Sequence, residues 1–372
     1  MTRFDRQINL RGFGQEAQNK LKQSSVLVIG AGGLGCPALL YLAATGIGKI
    51  GIADCDTVSI SNLNRQILYG ENDAGKRKAV VATETIQQKY SDIDVECFNT
   101  FLDNSNALEI ISQYDVVVDC CDNFSSRYMI NDACVLLNKP LVYGAIYQYE
   151  GQVSVFNVKD EKGFTHNYRD LFPVPPNAKQ IPDCNETGVL GVLPGVIGTM
   201  QATEAMKLIT GIGKTLCGKI LYYNLLQQSF YELAIAKNPE ASQAAPANEK
   251  DFRSHNYSVT CATVKTIDWN KANEMYSLNP QQTTFVDVRE KDELPRVDTF
   301  ICVDLPLSAL AHQAHCISQF EKLLVFCQGG VRSEKAVRQL QILFPEKQFY
   351  SIQGGILDSL SQLSNKLYAT EV

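Results

Sequence analysis

The stretch Ile29-Gly30-Ala31-Gly32-Gly33-Leu34-Gly35 follows a short apolar run, Val26 to Ile29, and opens onto a helical pattern. Small residues let the backbone approach a phosphate, and the first turn of the following helix offers free N–H donors and positive potential. The spacing therefore predicts strand, phosphate-binding turn (Gly30, Gly32, Gly33, Gly35) and helix. Every dinucleotide fold shares this signal, so the turn points to a fold class and leaves the ligand open.

Moving outward, Val26 to Ile29, Ile50 to Ala53, Val116 to Asp119 and Leu141 to Tyr143 read as strands separated by longer helical patterns. That alternation predicts an α/β fold with a Rossmann-like, doubly wound, mostly parallel sheet. Residues 150–158 and 219–234 read as strands without intervening helices, which predicts an antiparallel extension, and Gly188 to Leu208 reads as a loop entering a helix. Composition changes after Lys237 to a small, polar, proline-punctuated stretch, so residues 1–240 form an expected first domain and 241–260 a linker. Beyond it, Thr284 to Val288, Ile301 to Leu305, Leu323 to Phe326 and Gln348 to Ile352 read as strands, with Ser333 to Leu343 as a helix. Residues 261–372 thus form a second, small α/β domain.

A formal net charge of -6 gives no field for nucleic acid or an anionic membrane. The first residues lack the apolar core of a signal peptide and no stretch approaches the length of a membrane span, which predicts a cytoplasmic protein. Twelve cysteines are spread along the chain with no C-x-x-C, so reduced thiols are expected, and Cys36, Cys97 and Cys134 read as small buried residues.

Asp54 ends the second strand about 20 residues past the glycine turn, where an acid can hydrogen-bond a ribose hydroxyl. Asn62, Arg65 and Lys78 follow, and together they could converge on a triphosphate. Displacement of pyrophosphate develops negative charge that such cations stabilise, whereas hydride transfer needs none of them. Asp122, in Asp119-Cys120-Cys121-Asp122-Asn123, closes another strand at the same carboxyl edge and suits magnesium. Taken singly, Asp122 reads as a helix cap and Arg65 and Lys78 as solvated charges.

These residues resemble the ubiquitin-activating type of adenylyltransferase, in the MoeB/ThiF branch that activates ubiquitin-like sulfur carriers. The resemblance runs from about Arg3 to Pro239. It rests on Arg6-Gln7-Ile8-Asn9-Leu10-Arg11-Gly12, the glycine turn, Asp54-x-Asp56-x-Val58, Ser61-Asn62-Leu63-x-Arg65-Gln66, Asp119-x-x-Asp122-Asn123 and Gly188-Val189-Leu190-Gly191. It implies that ATP binds at the glycine turn with Asp54, Asp56, Asn62, Arg65, Gln66, Lys78, Asp122 and Asn123, and that Asp122 holds Mg2+. It further implies a homodimer in which Arg6 enters the neighbouring subunit's site. Relatives carry two C-x-x-C pairs for zinc, yet the matching segments here read Asn167-Tyr168-Arg169-Asp170 and Ala241-Ser242-Gln243-Ala244, so no zinc is expected. Cys184 matches a cysteine that some relatives use to bond the carrier or resolve a disulfide.

In the second domain Leu324-Val325-Phe326 runs into Cys327-Gln328-Gly329-Gly330-Val331-Arg332-Ser333 and a helix. A cysteine facing successive N–H groups at a helix start is placed as a nucleophile, although a lone cysteine is more often simply buried. With Phe285-Val286-Asp287-Val288-Arg289-Glu290 and Gly354-Gly355-Ile356-Leu357, the segment resembles a rhodanese sulfurtransferase, while residues 291–304 depart from that pattern. The implied reaction adenylates the C-terminal Gly-Gly carboxylate of a sulfur-carrier protein. Persulfide sulfur loaded on Cys327 by a cysteine desulfurase or thiosulfate then gives a thiocarboxylate. Two rivals are a NAD-dependent oxidoreductase, which leaves Arg65, Lys78 and Cys327 without a task, and an adenylyltransferase whose rhodanese domain only binds or senses redox state.

Overall fold

The apolar run before the glycine turn is strand β1 (Ser25–Ile29) in a computed structural model of the chain, which describes residues 2–175, 188–257, 264–290, 292–294, 302–344 and 346–358. It sits inside an eight-stranded sheet with β2 (Lys49–Ala53), β3 (Asp94–Phe98), β4 (Val116–Asp119), β5 (Leu141–Tyr147), β6 (Glu150–Phe156), β7 (Lys219–Asn224) and β8 (Ser229–Ala234). The order is β3-β2-β1-β4-β5-β6-β7-β8, parallel through β5 and antiparallel beyond it. Val26 and Val28 face one core with Ile50, Ile52, Val116 and Val118, and Leu27 and Ile29 face the other with Ala53, Val117 and Leu141. A sheet covered on both faces requires such unbroken apolar runs, which is why these strands were legible. β3 was not, because it is an edge strand with an alternating, half-exposed pattern, and its Cys97 is exposed rather than buried.

The order places a topological switch between β1 and β4, the crevice where open α/β sheets bind ligands. Helix Gly35–Thr45 leaves the glycine turn and packs on helix Val192–Thr210. A Cβ at Gly198 would stand 2.2 Å from the Leu34 carbonyl oxygen, so glycine is what lets these helices touch.

The expected linker, 241–260, is folded as far as its described residues go. Helices Pro239–Ala244 and Glu249–Ser254 start at Asn238 and Asn248, whose side chains accept backbone N–H groups. Phe252 is fully buried in the first unit, and Arg253 Nη1 donates to the Ser105 carbonyl at 2.7 Å. Composition misled here because asparagine and proline also begin helices.

The same region contains the segments that lack thiolates. Asp170, on the short helix Tyr168–Leu171, accepts from the Asn238 backbone N–H at 2.9 Å and from Lys237 Nζ at 3.1 Å, joining that helix to Pro239–Ala244. Beneath it, buried Arg169 donates from Nε and Nη2 to both oxygens of buried Asp132, each at 2.7 Å, and the Tyr257 hydroxyl donates to Asp132 at 3.0 Å.

The described residues separate into two units, one ending at Tyr257 and one beginning at Val264. The second holds a wholly parallel five-stranded sheet of β9 (Lys265–Ile267), β10 (Thr283–Asp287), β11 (Cys302–Asp304), β12 (Lys322–Phe326) and β13 (Gln348–Ile352), ordered β11-β10-β12-β13-β9. Leu323 and Val325 enter one core and Leu324 and Phe326 the other, which contains Trp269. The short edge strand β9 carried no sequence signal.

Candidate active sites

Gly30 adopts φ +95°, and a Cβ there would lie 2.7 Å from the Cys120 carbonyl oxygen. The turn after β1 therefore presses directly on the turn after β4, and only glycine permits it. Asp54 fixes the same turn: its Oδ2 accepts from Ala31 N–H at 2.7 Å and its Oδ1 from Asp56 N–H at 2.8 Å. Burial pushes the Asp54 carboxyl upward while those two N–H groups oppose the shift.

Lys78 is only 5% exposed, and its Nζ pairs with exposed Asp56 at 2.9 Å. The Tyr69 hydroxyl donates to the Ala31 carbonyl at 2.8 Å and lies 3.3 Å from the Lys78 carbonyl, latching the lysine to the glycine turn. Tyr69 was missed because a tyrosine after an apolar pair reads as core. The 60–66 segment folds over the turn: Gln66 Nε2 comes within 3.6 Å of where a Gly32 Cβ would stand, and Arg65 Cγ within 3.6 Å of the same point at Gly33. Gln66 Oε1 is buried without a hydrogen-bond partner, and Asn62 accepts the backbone N–H groups of Arg65 and Gln66 on its carbonyl. Gly191 packs against the Asn64 carbonyl, which brings the Gly188-Val189-Leu190-Gly191 motif to the same place.

Across the crevice, the Asn123 side chain accepts from Ser126 N–H at 2.8 Å and caps helix Phe124–Leu136. The cap thus belongs to Asn123, and Asp122 stays exposed with its carboxylate available. Asp119 Oδ1 accepts from Cys121 N–H at 2.9 Å, while its buried Oδ2 has no hydrogen-bond partner and faces Arg127 Nε at 3.9 Å. Gln201 Nε2 braces the Asp119 carbonyl at 2.6 Å. Burial drives the Cys120 and Cys121 thiols well above their ordinary range and Cys36 up to about 12, so these are packing groups rather than nucleophiles.

Arg6 does not join this site. It is exposed on helix Asp5–Ile8, whose Gln7 donates to the Thr45 carbonyl at 2.9 Å, and Phe4 just before that helix abuts Gly46. Those contacts lie at the far end of helix Gly35–Thr45, about 16 Å from the turn at 1.5 Å per residue. Cys184 lies outside the described residues, and among those residues no group of three or more His, Cys, Asp or Glu is arranged for a metal.

In the second unit Cys327 follows β12, the strand between β10 and β13, and is 1% exposed. Its sulfur accepts from Gly330 N–H at 3.1 Å and lies 3.8 Å from the Ser333 hydroxyl. Gly330, at φ +97°, leads into helix Val331–Leu343. Gly355 packs on the Cys327 and Gln328 backbone, and the Trp269 indole N–H donates to its carbonyl at 2.7 Å, so the turn after β13 closes the loop. Arg332 turns to Glu293, a residue that no sequence motif marked.

A crevice built from glycine backbone, cations and carboxylates, and in the same chain a loop that cradles a cysteine sulfur, are the parts that an enzyme transferring nucleotidyl groups and sulfur needs. The chain belongs to the ThiF family, whose model matches residues 4–244. A sulfur carrier protein adenylyltransferase of Thermus thermophilus is 49% identical over 240 residues, covering 64% of this chain and 89% of that protein. Adenylyltransferase and sulfurtransferase MOCS3 of Culex quinquefasciatus is 37% identical over 372 residues, covering 93% of this chain and 83% of its own length. The crystal structure of E. coli MccB with ATP superposes with a TM-score of 0.56 at 23% identity over 64% of this chain and 73% of that one, which shows the shared fold. The chain is an enzyme combining an adenylyltransferase unit, which works on ATP, with a sulfurtransferase unit. No helix among the described residues is long and apolar enough to cross a membrane.

Proposed function

We propose that the enzyme adenylates the C-terminal glycine of a ubiquitin-like sulfur-carrier protein ending in Gly-Gly and then converts it to a thiocarboxylate. The observation that carries this reading is the convergence of Asp54, Arg65, Gln66 and Lys78 on one glycine turn pressed against the Asp122 loop. A carboxylate oxygen of the carrier attacks the α-phosphorus of ATP, the bond to the bridging oxygen breaks, and pyrophosphate leaves with the electron pair. Arg65 and Lys78 stabilise that leaving charge, and no general base is needed because the nucleophile is already ionised. The unpartnered Gln66 Oε1 and the glycine cradle fit a nucleotide. Asp122, free of the cap, would hold Mg2+ together with phosphate oxygens and so neutralise charge on the triphosphate.

Sulfur carried as a persulfide on Cys327 attacks the acyl carbonyl and AMP leaves, giving an acyl disulfide. Cys184 attacks the Cys327 sulfur, releasing the thiocarboxylate and leaving a Cys327–Cys184 disulfide that an external thiol reduces. The position of Arg6 beyond reach of its own turn supports a homodimer with shared sites. The Asp170 and Arg169 contacts support a zinc-free connection, and the sulfur donor is a persulfide or thiosulfate in the cytoplasm. Intact mass of the carrier after incubation with ATP and donor tests this: the wild-type enzyme yields thiocarboxylate and Cys327→Ala yields none. Thiocarboxylate formed by Cys327→Ala would reduce the second unit to a binding module.

A further inference from the structure

Among the described residues of the Cys327 loop the only cation is Arg332, and its charge is already committed. Both terminal guanidinium nitrogens donate to the two carboxylate oxygens of Glu293, Nη2 to Oε2 at 2.6 Å. Glu293 is itself fixed by a turn: its Oε1 accepts from Glu290 N–H at 2.8 Å and its N–H donates to the Glu290 carbonyl at 3.1 Å. Arg332 holds the Glu293 carboxyl down at about 2, so the pair stays ionised across the working range. Arg332 also feels Glu290, and the Asp358 side chain lies against Gly354, which touches Gly330 in the loop. Arg289, which also acts on Glu293, is likewise committed, its Nη2 donating to Asp287 Oδ2 at 2.6 Å.

We propose that Glu293 is a specificity-determining residue of the sulfurtransferase site: by cancelling Arg332 it disfavours dianionic thiosulfate and favours a persulfide carried on a protein thiol. This rests on the reading of Cys327 as the sulfur-accepting nucleophile. With thiosulfate, the Cys327 sulfur attacks the sulfane sulfur, the S–S bond breaks, and sulfite leaves with the electron pair and two negative charges. With a protonated persulfide, the Cys327 thiolate attacks the outer sulfur, which keeps its proton, and the carrier thiolate leaves with the pair. Only the first route brings a dianion to the loop and sends a dianion away, and both need a free cation there.

The test follows sulfur loading of Cys327 in the full-length enzyme by intact mass, with thiosulfate and with the persulfide of 2-mercaptoethanol as donors. Glu293→Gln is expected to lower half-saturating thiosulfate about tenfold and to leave the persulfide unchanged. Arg332→Gln alone should raise half-saturating thiosulfate, because it leaves the Glu293 carboxylate uncompensated, and the double variant should lose the gain of Glu293→Gln, since the freed cation is what attracts the dianion. An unchanged thiosulfate response in Glu293→Gln, an equal gain with both donors, or a wild type that loads equally well from both would overturn the proposal. No loading of wild-type Cys327 from either donor would instead overturn the sulfurtransferase reading beneath it.

Discussion

Lys78 carries a buried ammonium paired with Asp56, whose side chain is 66% exposed. A polyphosphate arriving at the turn competes for that ammonium on favourable terms, because surface carboxylates hold lysines weakly. Lys78→Ala and Arg65→Ala are each expected to lower adenylation about 100- to 1000-fold, read as carrier-dependent turnover of ATP, with the melting temperature retained in Arg65→Ala. Glu293 gives a pH prediction of definite sign. Its carboxyl is lowered from 4.5 to about 2, so the ion pair stabilises the loop fully above the ordinary value and fades as pH falls toward 2. Acid unfolding of the wild type and Glu293→Gln should therefore differ above pH 4.5 and converge at lower pH; curves that stay parallel would remove the pair from the stability of this unit. Sequence made most of these nucleotide-site residues visible through their spacing around a turn. Tyr69, Gln201 and Glu293 stayed hidden because their roles depend on which backbone carbonyl or guanidinium the fold sets opposite them.

At the level of elements, the glycine turn and the β4 turn form one unit through Gly30. Gly30→Ala places a methyl 2.7 Å from the Cys120 carbonyl at a positive φ, so a loss of about 1–3 kcal/mol and of ATP binding is expected, measured by thermal melts with and without nucleotide. Strands β1, β2, β4, β5, β10, β12 and β13 announced themselves as apolar runs, whereas the edges β3 and β9 bury too little to leave a pattern. The stretch after Lys237 was misread for a related reason: its hold on the first unit comes from Phe252, Arg253 and Tyr257 and from carboxylates far away in sequence. Arg169→Met would strand buried Asp132 without its partner and should destabilise the first unit by about 3–5 kcal/mol, whereas chelator treatment of the wild type should leave its melting temperature unchanged.

For the whole molecule, the place of Arg6 decides between a self-sufficient chain and a pair that shares its sites. If the partner supplies Arg6, mixing inactive Arg6→Ala with inactive Arg65→Ala chains restores activity to about a quarter of wild type, because random pairing makes half of the dimers mixed and each holds one intact site. Activity that stays absent after subunit exchange would confine Arg6 to another role. In the proposed order of steps, the glycine turn activates a carboxylate with ATP before Cys327 delivers sulfur. Carrier-dependent exchange of labelled pyrophosphate into ATP tests it most directly: exchange should occur in the wild type, persist in Cys327→Ala and vanish in Arg65→Ala. Exchange absent with every Gly-Gly carrier offered, or undiminished in Arg65→Ala, would contradict it.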